Sequence, residues 1–180
     1  MSVQPLPYAL TLRFDSRTTA RIETMVAALD AAGLGDAESA LGYPPHVSLG
    51  LFDALDPSRT EAAIAGLVAD TPRIRVTLTG FGIFPGEPNV LWLAMAADAT
   101  LAGLHKTIVG AAGGPVREHY RPGIWTPHCT LAVAIGDDRL GTALALLRRR
   151  WRPIDAEFRS VELLRFPPVE RLWRGDLRKA

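Results

Sequence analysis

PPHVSLGLF, residues 44–52, returns in altered form as TPHCTLAVA at residues 126–134. In both stretches a proline and a histidine are followed by one variable residue, a hydroxyl-bearing residue and a leucine. The two histidines, His46 and His128, are 82 residues apart, and the chain has only four histidines. Two copies separated by nearly half of the chain indicate an internal duplication, and this duplication decides the fold that we expect.

The duplication extends beyond the two histidines. When the chain is shifted against itself by 82 residues, Phe84–Pro85 falls on Phe166–Pro167, and Asp56 falls on Asp138. We therefore predict a single domain over residues 1–180 that consists of two copies of one strand-and-helix unit. The copies cover about residues 8–84 and 89–166, and a last strand covers about 170–177.

The hydrophobic pattern of the chain predicts an α+β fold. Period-two segments predict strands over residues 8–15, 46–52, 73–84, 90–97, 128–135, 154–166 and 171–177. Helical spacing predicts helices over about residues 16–33, 101–112 and 139–151, and a further helix that starts at Pro57 and buries Ile64, Leu67 and Val68. The short turns after Phe84 and Phe166 require hairpins, which excludes a doubly wound parallel sheet. We expect a bilobal duplicated fold, with two largely antiparallel sheets facing a central groove and helices on the outer faces.

Composition and charge limit the classes of function. The chain has a net charge of +1, and 48% of its residues are apolar. A protein that follows a long nucleic-acid duplex normally carries a strong positive charge, so we expect no long duplex as a partner. The longest apolar run, VLWLAMAA, is too short to span a bilayer, and the N-terminal residues do not read as a signal peptide. We expect a cytoplasmic monomer without membrane contact.

The two repeated motifs predict strands with one polar face each. Because side chains alternate along a strand, His46 and Ser48 share a face with Gly50, and His128 and Thr130 share a face with Ala132. The opposite faces are aliphatic and carry Val47, Leu49 and Leu51 in the first motif and Cys129, Leu131 and Val133 in the second. If a pseudo-two-fold axis relates the lobes, the polar faces line one groove, and the small residues leave room for a ligand.

Two histidines in one groove suit chemistry at a phosphodiester. One neutral imidazole can activate the nucleophile while a protonated partner donates a proton to the leaving oxygen. The hydroxyls of Ser48 and Thr130 can donate hydrogen bonds to the non-bridging oxygens, so no metal and no cofactor are expected. A lone histidine at the start of a strand is more often structural, but the matching pair favours catalysis. The sequence leaves open which histidine is the acid and which is the base.

At this level the sequence resembles a known family. HVSL and HCTL look like the paired motifs of the two-histidine (2H) phosphoesterase superfamily, and the match is closest to its 2′-5′ RNA ligase branch. The resemblance covers nearly the whole chain, including YALTLRFD, GFGIFPGEPNVLWLAM and YRPGIWTPHCTLA. It implies metal-independent hydrolase chemistry on 2′,3′-cyclic or 2′-5′ linked ribonucleotides, with small nucleotides or RNA termini as substrates, and a role in RNA processing. It also implies that His46, Ser48, His128 and Thr130 are catalytic.

Five further residues are candidates for substrate binding. Tyr120, Arg121 and Trp125 precede the second motif, where the aromatic rings could stack on a base and the guanidinium could bind phosphate. Trp125 could equally anchor its loop to the core. Tyr43 and Arg13 are weaker candidates. A place in the hydrophobic core is favoured for Tyr43. Arg13 lies on the more polar face of its strand, from which it could reach the groove.

Other features have ordinary explanations, and the exact reaction remains open. We expect His105 and His119 to be surface residues, Cys129 to be buried and inert, and residues 148–152 to form a solvated helix end. No group of residues has metal-ligand spacing. Besides the phosphodiesterase, the alternatives are a reversible 2′-5′ RNA ligase and a binding module of the same fold that holds RNA or a nucleotide without turnover.

Overall fold

The computed structural model describes residues 7–37, 42–96, 98–149 and 151–179. These ranges form eight strands and four α-helices, in the order β1 (Tyr8–Phe14), α1 (Ser16–Ala31), β2 (Asp36–Ala37), β3 (His46–Phe52), α2 (Pro57–Asp70), β4 (Ile74–Phe84), β5 (Asn89–Met95), α3 (Ala99–Ala111), β6 (His128–Ile135), α4 (Asp137–Arg148), β7 (Ile154–Arg165) and β8 (Glu170–Asp176). The predicted α+β fold class is confirmed. Residue 97 of the fourth predicted strand and residue 150 of the last predicted helix lie outside the described residues.

Aspartate side chains start three of the helices. Asp15 accepts a hydrogen bond from the Thr18 backbone N–H at 2.9 Å, and Asp98 accepts one from Leu101 at the same distance. Asp56 caps α2, and Pro57 is the first residue of that helix, where its missing N–H has no cost. Asp138, the counterpart of Asp56 in the repeat, lies inside α4, which begins at Asp137.

The strands form one continuous sheet of two lobes. The hydrogen-bonded order is β2-β6-β5-β4-β7-β1-β3, and β8 pairs with β7. We call β3, β1, β7 and β8 the first lobe and β2, β6, β5 and β4 the second lobe. All pairings between these strands are antiparallel. The two expected sheets are joined edge to edge, because β4 and β7 are long enough to pair with each other over residues 74–78 and 154–158 and to serve their own lobes beyond that segment.

Each predicted repeat unit contributes its last strand to the other lobe. β4 belongs to the first unit but pairs with β5, and β7 belongs to the second unit but pairs with β1. The lobes are therefore interleaved in sequence, so neither unit completes a lobe alone. This exchange requires pairing between distant segments, which local sequence patterns do not encode.

Helices cover the faces of the lobes that carry the aliphatic residues. α1 and α4 pack against each other and α1 contacts β6, whereas α2 contacts β7 and β8, and α3 contacts β3. The sheet side of this core consists of buried side chains from alternate strand positions: Leu10, Leu12, Val47, Leu49, Leu91, Leu93, Cys129, Leu131, Val161 and Leu163. In the described ranges, no helix combines the length and apolarity needed to cross a lipid bilayer.

A bulge interrupts both motif strands at equivalent positions. Leu10 lies opposite Gly50 and Thr11 opposite Ser48, so Leu49 is an extra residue on β3. On β6, Leu131 is likewise extra, 82 residues later. A bulge reverses the alternation that follows it.

The predicted faces are therefore wrong beyond the bulges. Phe52 is fully buried while Leu51 is half-buried, and Val133 is 37% exposed. Gly50 does not provide open space for a ligand, because a Cβ there would lie 2.8 Å from the Phe52 ring and 3.1 Å from Val116. It is the close packing of Phe52 that requires glycine at this position.

We predict that Gly50→Ala destabilises the protein by about 1–3 kcal/mol, since the new methyl group overpacks a filled site. Gly66→Ala is the matched control, because Gly66 lies on α2 and a Cβ there meets no atom within 4 Å. That substitution should stabilise the helix by about 0.5–1 kcal/mol. Urea denaturation measures both changes, and equal effects of the same sign would contradict the packing argument.

Candidate active site

The two motif strands meet across the groove. β3 and β6 lie near opposite ends of the strand order, yet they contact each other. The Trp125 indole N–H, three residues before His128, donates a 3.0 Å hydrogen bond to the Ser48 carbonyl oxygen and so ties the second motif to the first. His46, Ser48, His128 and Thr130 are all half-buried, on the faces opposite the aliphatic core. The fold thus brings the four predicted catalytic residues to one place.

Both histidines are held by the same backbone contact. His46 Nδ1 lies 3.1 Å from the Pro44 carbonyl oxygen, and His128 Nδ1 lies 2.7 Å from the carbonyl oxygen of Thr126. A carbonyl oxygen only accepts, so Nδ1 carries the proton in each neutral ring. The Nε2 atom of each ring is then the one with a free lone pair. This arrangement leaves two equivalent proton-transfer atoms for a ligand.

Burial favours the neutral form of both imidazoles. It lowers the pKa of His46 to about 4, and the charges of Arg13 and His128 lower this pKa further. Burial also lowers the pKa of His128, although the hydrogen bond to Thr126 opposes the shift. A positive charge on His128 thus disfavours protonation of His46, and burial is the larger cause of the shift.

Arg13 holds the turn that presents His46. One of its terminal nitrogens, Nη1, donates to the carbonyl oxygens of Pro44 and Pro45, at 2.6 and 2.7 Å. The Pro44 oxygen therefore receives hydrogen bonds from both Arg13 and His46. These contacts make Arg13 a support for the histidine, and a direct contact of Arg13 with substrate stays a prediction.

Tyr43 connects the His46 ring to a buried carboxylate. Its hydroxyl donates to Glu162 Oε2 at 2.6 Å and lies 2.9 Å from Thr11 Oγ1. Its ring meets that of His46 edge-on, with centroids 4.9 Å apart. Burial and the Glu162 contact raise the pKa of the Tyr43 phenol, so it stays protonated as a donor. Tyr43 thus lies beside the His46 ring, but its hydroxyl is hydrogen-bonded within the protein.

The surroundings of His128 are aromatic instead. Phe84 meets the His128 ring edge-on with centroids 4.8 Å apart, and Trp92 lies 5.8 Å from it. Phe84 and Trp92 are stacked on each other at 4.8 Å. The Trp92 ring lies over Gly82, where a Cβ would approach it to 2.2 Å. We call Phe84 and Trp92 the aromatic wall.

Trp125 and His105 form a stacked pair behind the site. Their rings are nearly parallel, 2° apart in orientation, with centroids separated by 4.0 Å. The prediction that His105 is a surface residue is wrong, because it is only 2% exposed and lies on the buried face of α3. His119 is exposed, as predicted. With its indole N–H bonded to Ser48 and one face covered by His105, Trp125 anchors the loop that leads to β6.

The structure places Tyr120 and Arg121 in the same loop, at the end of a 3₁₀ turn over Glu118–Tyr120. Tyr120 is half-buried and Arg121 is exposed. The Arg121 carbonyl oxygen accepts hydrogen bonds from the backbone N–H groups of Ile124 and Trp125, which fixes the loop. A role of these two side chains in substrate binding stays a prediction.

Several residues of the site were not predicted from sequence. Trp92 was interpreted only as an apolar strand residue, and no sequence pattern near Glu162, Arg171 or Arg174 indicated a functional role. Register does connect them, because Trp92 lies opposite Thr130 on β6, and Glu162 lies opposite Arg174 on β8. In the part of the chain that the structure describes, no three His, Cys, Asp or Glu residues form a group that could hold a metal ion.

Comparison with known proteins identifies the family of this chain. The family model of the 2′-5′ RNA ligase superfamily matches residues 14–168. The chain belongs to this superfamily. The predicted resemblance to the 2H phosphoesterases is thereby confirmed. No curated protein sequence matches the chain.

Solved structures of the same fold align over nearly the full chain. E. coli LigT in its apo form has 17% sequence identity and a TM-score of 0.66, and the alignment covers 97% of this chain and 99% of LigT. TT0787 of Thermus thermophilus has 17% identity, a TM-score of 0.63 and coverages of 97% and 99%. Usb1 of Kluyveromyces marxianus has 16% identity, a TM-score of 0.53 and coverages of 94% and 99%. At these identities the likeness shows the fold.

The lowered pKa of His46 predicts a pH-dependent stability. The pKa is about 4 in the folded chain against an ordinary value of 6.5, so between these values the unfolded chain binds a proton that the folded chain does not. The contribution of the neutral His46 ring to the free energy of unfolding is present in full above pH 6.5 and is lost as the pH falls towards 4. His46→Gln should therefore flatten the decline in the free energy of unfolding over this interval, as measured by urea denaturation.

His119→Gln is the matched control for this measurement, because it removes an exposed histidine. It should keep the wild-type slope. If His46→Gln also kept that slope, the His46 imidazole would not be buried in the way described.

Proposed function

We propose that the protein is a metal-independent phosphodiesterase that acts on 2′,3′-cyclic or 2′-5′ linked ribonucleotides, including RNA ends. The observation that carries the proposal is the pair of histidines on β3 and β6, each held through Nδ1 by a backbone carbonyl. Both therefore offer Nε2 for proton transfer. The family and the fold support a phosphoesterase or RNA ligase-like activity in general; the substrate and the reaction direction belong to the proposal.

The two histidines divide the proton transfers of cyclic-phosphate opening. Nε2 of one neutral imidazole takes a proton from water as the water oxygen forms a bond to phosphorus. The bond from phosphorus to one ribose oxygen breaks, and that oxygen receives the proton carried by the other imidazole. The product is a ribonucleotide with a 2′- or 3′-phosphomonoester. Each such transfer contributes roughly 10²- to 10⁴-fold in rate.

The surroundings favour His46 as the base in this direction. Its burial and the nearby Arg13 charge keep the ring neutral, as a base requires. The pKa of His128 is lowered by burial, and its ring is surrounded by aromatic side chains. The negative charge of a bound phosphate favours the protonated form of His128, as an acid requires. In the reverse, ligating direction the two roles exchange.

The hydroxyls of Ser48 and Thr130 complete the proposed site. In the described residues neither hydroxyl has a hydrogen-bond partner in the protein, so both are available to a ligand. Placed two residues after each histidine on the same face, they can donate to the non-bridging oxygens. Donors of this kind stabilise the charge that develops at phosphorus, typically by about 10²- to 10³-fold in rate.

The nucleoside part of the substrate fits the second lobe. The aromatic wall beside His128 presents rings on which a base can stack. Solved structures of the same fold hold nucleotides, since LigT has been crystallised with 3′-AMP and with ATP. We therefore propose a small nucleotide or RNA terminus as the ligand of this chain as well. In this proposal Arg13, Tyr43 and Trp125 position the site, whereas Tyr120 and Arg121 remain candidates for direct contact.

The decisive variants are His46→Ala and His128→Ala. Each should lower kcat for 2′,3′-cyclic AMP or a 2′-5′ linked oligoadenylate by about 10²- to 10⁴-fold, because each removes one proton-transfer group. Wild-type turnover should persist in EDTA. His119→Ala is the matched control and should retain the wild-type kcat.

Unchanged turnover in both histidine variants would exclude the proposal. The rival hypothesis, a binding module without turnover, predicts that all substrates stay intact and that both variants bind nucleotide as the wild type does. Ligation predicts joined product from RNA ends that carry a 2′,3′-cyclic phosphate and a 5′-hydroxyl.

A further inference from the structure

The groove face of the first lobe carries a polar row that leads away from the catalytic hydroxyl. Cross-strand register places one residue of each strand in line: Ser48 on β3, Thr11 on β1, Glu162 on β7 and Arg174 on β8. The corresponding row of the second lobe consists of Thr130, Trp92 and Gly82. The two lobes therefore offer different chemistry beside equivalent motifs, charged in the first and aromatic in the second.

Three arginine side chains surround the buried carboxylate of Glu162. The residue is 2% exposed. Its Oε1 atom lies 3.4 Å from Arg171 Nη1 and 3.6 Å from Arg174 Nη1, and its Oε2 atom lies 3.9 Å from Arg13 Nε. Asp176 also pairs with Arg174, at 3.0 Å. Three guanidinium groups thus face two carboxylates, which leaves a surplus of positive charge.

The surplus charge is directed towards solvent. The side chains of Arg171 and Arg174 are 57% and 47% exposed, whereas that of Arg13 is only 13% exposed. Arg171 and Arg174 line a cavity of about 270 Å³ together with Tyr43. A guanidinium has five N–H donors, and Glu162 engages only the Nη1 side of Arg171. On Arg174, Nη1 faces Glu162 while Nε and Nη2 donate to Asp176 at 3.1 and 3.0 Å, which leaves one N–H of each terminal nitrogen for a ligand. The remaining donors are oriented in advance by the buried carboxylate.

We propose that Arg171 and Arg174 form a subsite for a second phosphate of the substrate. The inference rests on the proposed function, since it concerns the same substrate. Planar guanidinium groups suit phosphate, because they offer paired donors together with charge. Adjacent strands lie about 4.8 Å apart, so the Arg174 head group, reaching back to Glu162, lies roughly two strand spacings or about 10 Å from Ser48. The ribose of one nucleotide can bridge that separation, with the reacting phosphate at Ser48, the 5′ oxygen towards Arg174 and the base towards the aromatic wall of the second lobe.

The subsite predicts a preference that kinetics can measure. Adenosine 2′,3′-cyclic phosphate with a 5′-phosphate should have a kcat/KM about ten-fold or more above that of the 5′-hydroxyl compound, as expected for charge-assisted hydrogen bonds. In the double variant Arg171→Gln with Arg174→Gln, the ratio of the two kcat/KM values should fall to near one. Arg75→Gln is the matched control, because its side chain is 89% exposed and does not line the cavity of Arg171 and Arg174, and it should keep the wild-type ratio.

A third substrate distinguishes the two possible sources of the second phosphate, which are a terminal 5′-phosphate and an internucleotide phosphate. The dinucleotide ApA with a 2′,3′-cyclic end carries its internucleotide phosphate on the same 5′ oxygen. A larger gain for the dinucleotide identifies RNA ends as the substrate class, and a larger gain for the 5′-phosphorylated mononucleotide identifies a terminal phosphate. The absence of any gain with both substrates would overturn the subsite.

The proposal is decided even if no substrate is turned over. Calorimetric titration then compares adenosine 3′,5′-bisphosphate with the 3′-monophosphate in the wild type and the double variant. Tighter binding of the bisphosphate that is lost in the double variant supports the subsite, and an equal preference in both proteins overturns it. If the double variant is unfolded by urea criteria, Arg171→Gln alone gives the same readout at the more exposed arginine.

Discussion

The contact between β3 and β6 is the constraint on which the site depends, because these strands lie near opposite ends of the sheet order. His46 and His128 each begin one of these strands, so the groove between them exists only if the sheet curls until the strands meet. The exchange of β4 and β7 between the repeat units joins the lobes by backbone pairing, and the Trp125 hydrogen bond to Ser48 fixes the approach at the site. The separation of the histidines is thus set by the fold as a whole.

The two motifs supply two equivalent histidines, and the surroundings make them different. Both rings have the same Nδ1 contact with a carbonyl oxygen two residues earlier, which fixes the same tautomer. Around His46 lie Arg13, Tyr43 and the Glu162 carboxylate, whereas around His128 lies the aromatic wall. The proposed division into base and acid, with phosphate on one side and a nucleobase on the other, follows from this asymmetry.

Sequence predicted what depends on local spacing. Seven of the eight described strands and the four α-helices were predicted, because alternation and aspartate caps are short-range signals. β2 was missed, since two residues that pair with β6 show no alternation. The bulges at Leu49 and Leu131 were missed, since an extra residue is visible only against the partner strand.

Long-range pairing accounts for the other differences. In the sequence Glu162 is a single charged residue within an apolar strand. Its role follows only from its cross-strand neighbours on β1 and β8. His105 was misplaced because histidine is usually exposed on a helix, whereas here Trp125 covers its ring. In the same way, Arg13 and Trp125 lie where a ligand contact was expected, but their polar atoms are bonded to the backbone of the first motif.

The most direct test of the account is a crystal structure with adenosine 2′-monophosphate, the product of cyclic-phosphate opening. We expect phosphate oxygens within about 2.6–3.2 Å of Nε2 of both His46 and His128, with Ser48 and Thr130 donating to the same group. A phosphate bound to only one histidine, or bound outside the groove between β3 and β6, would contradict it.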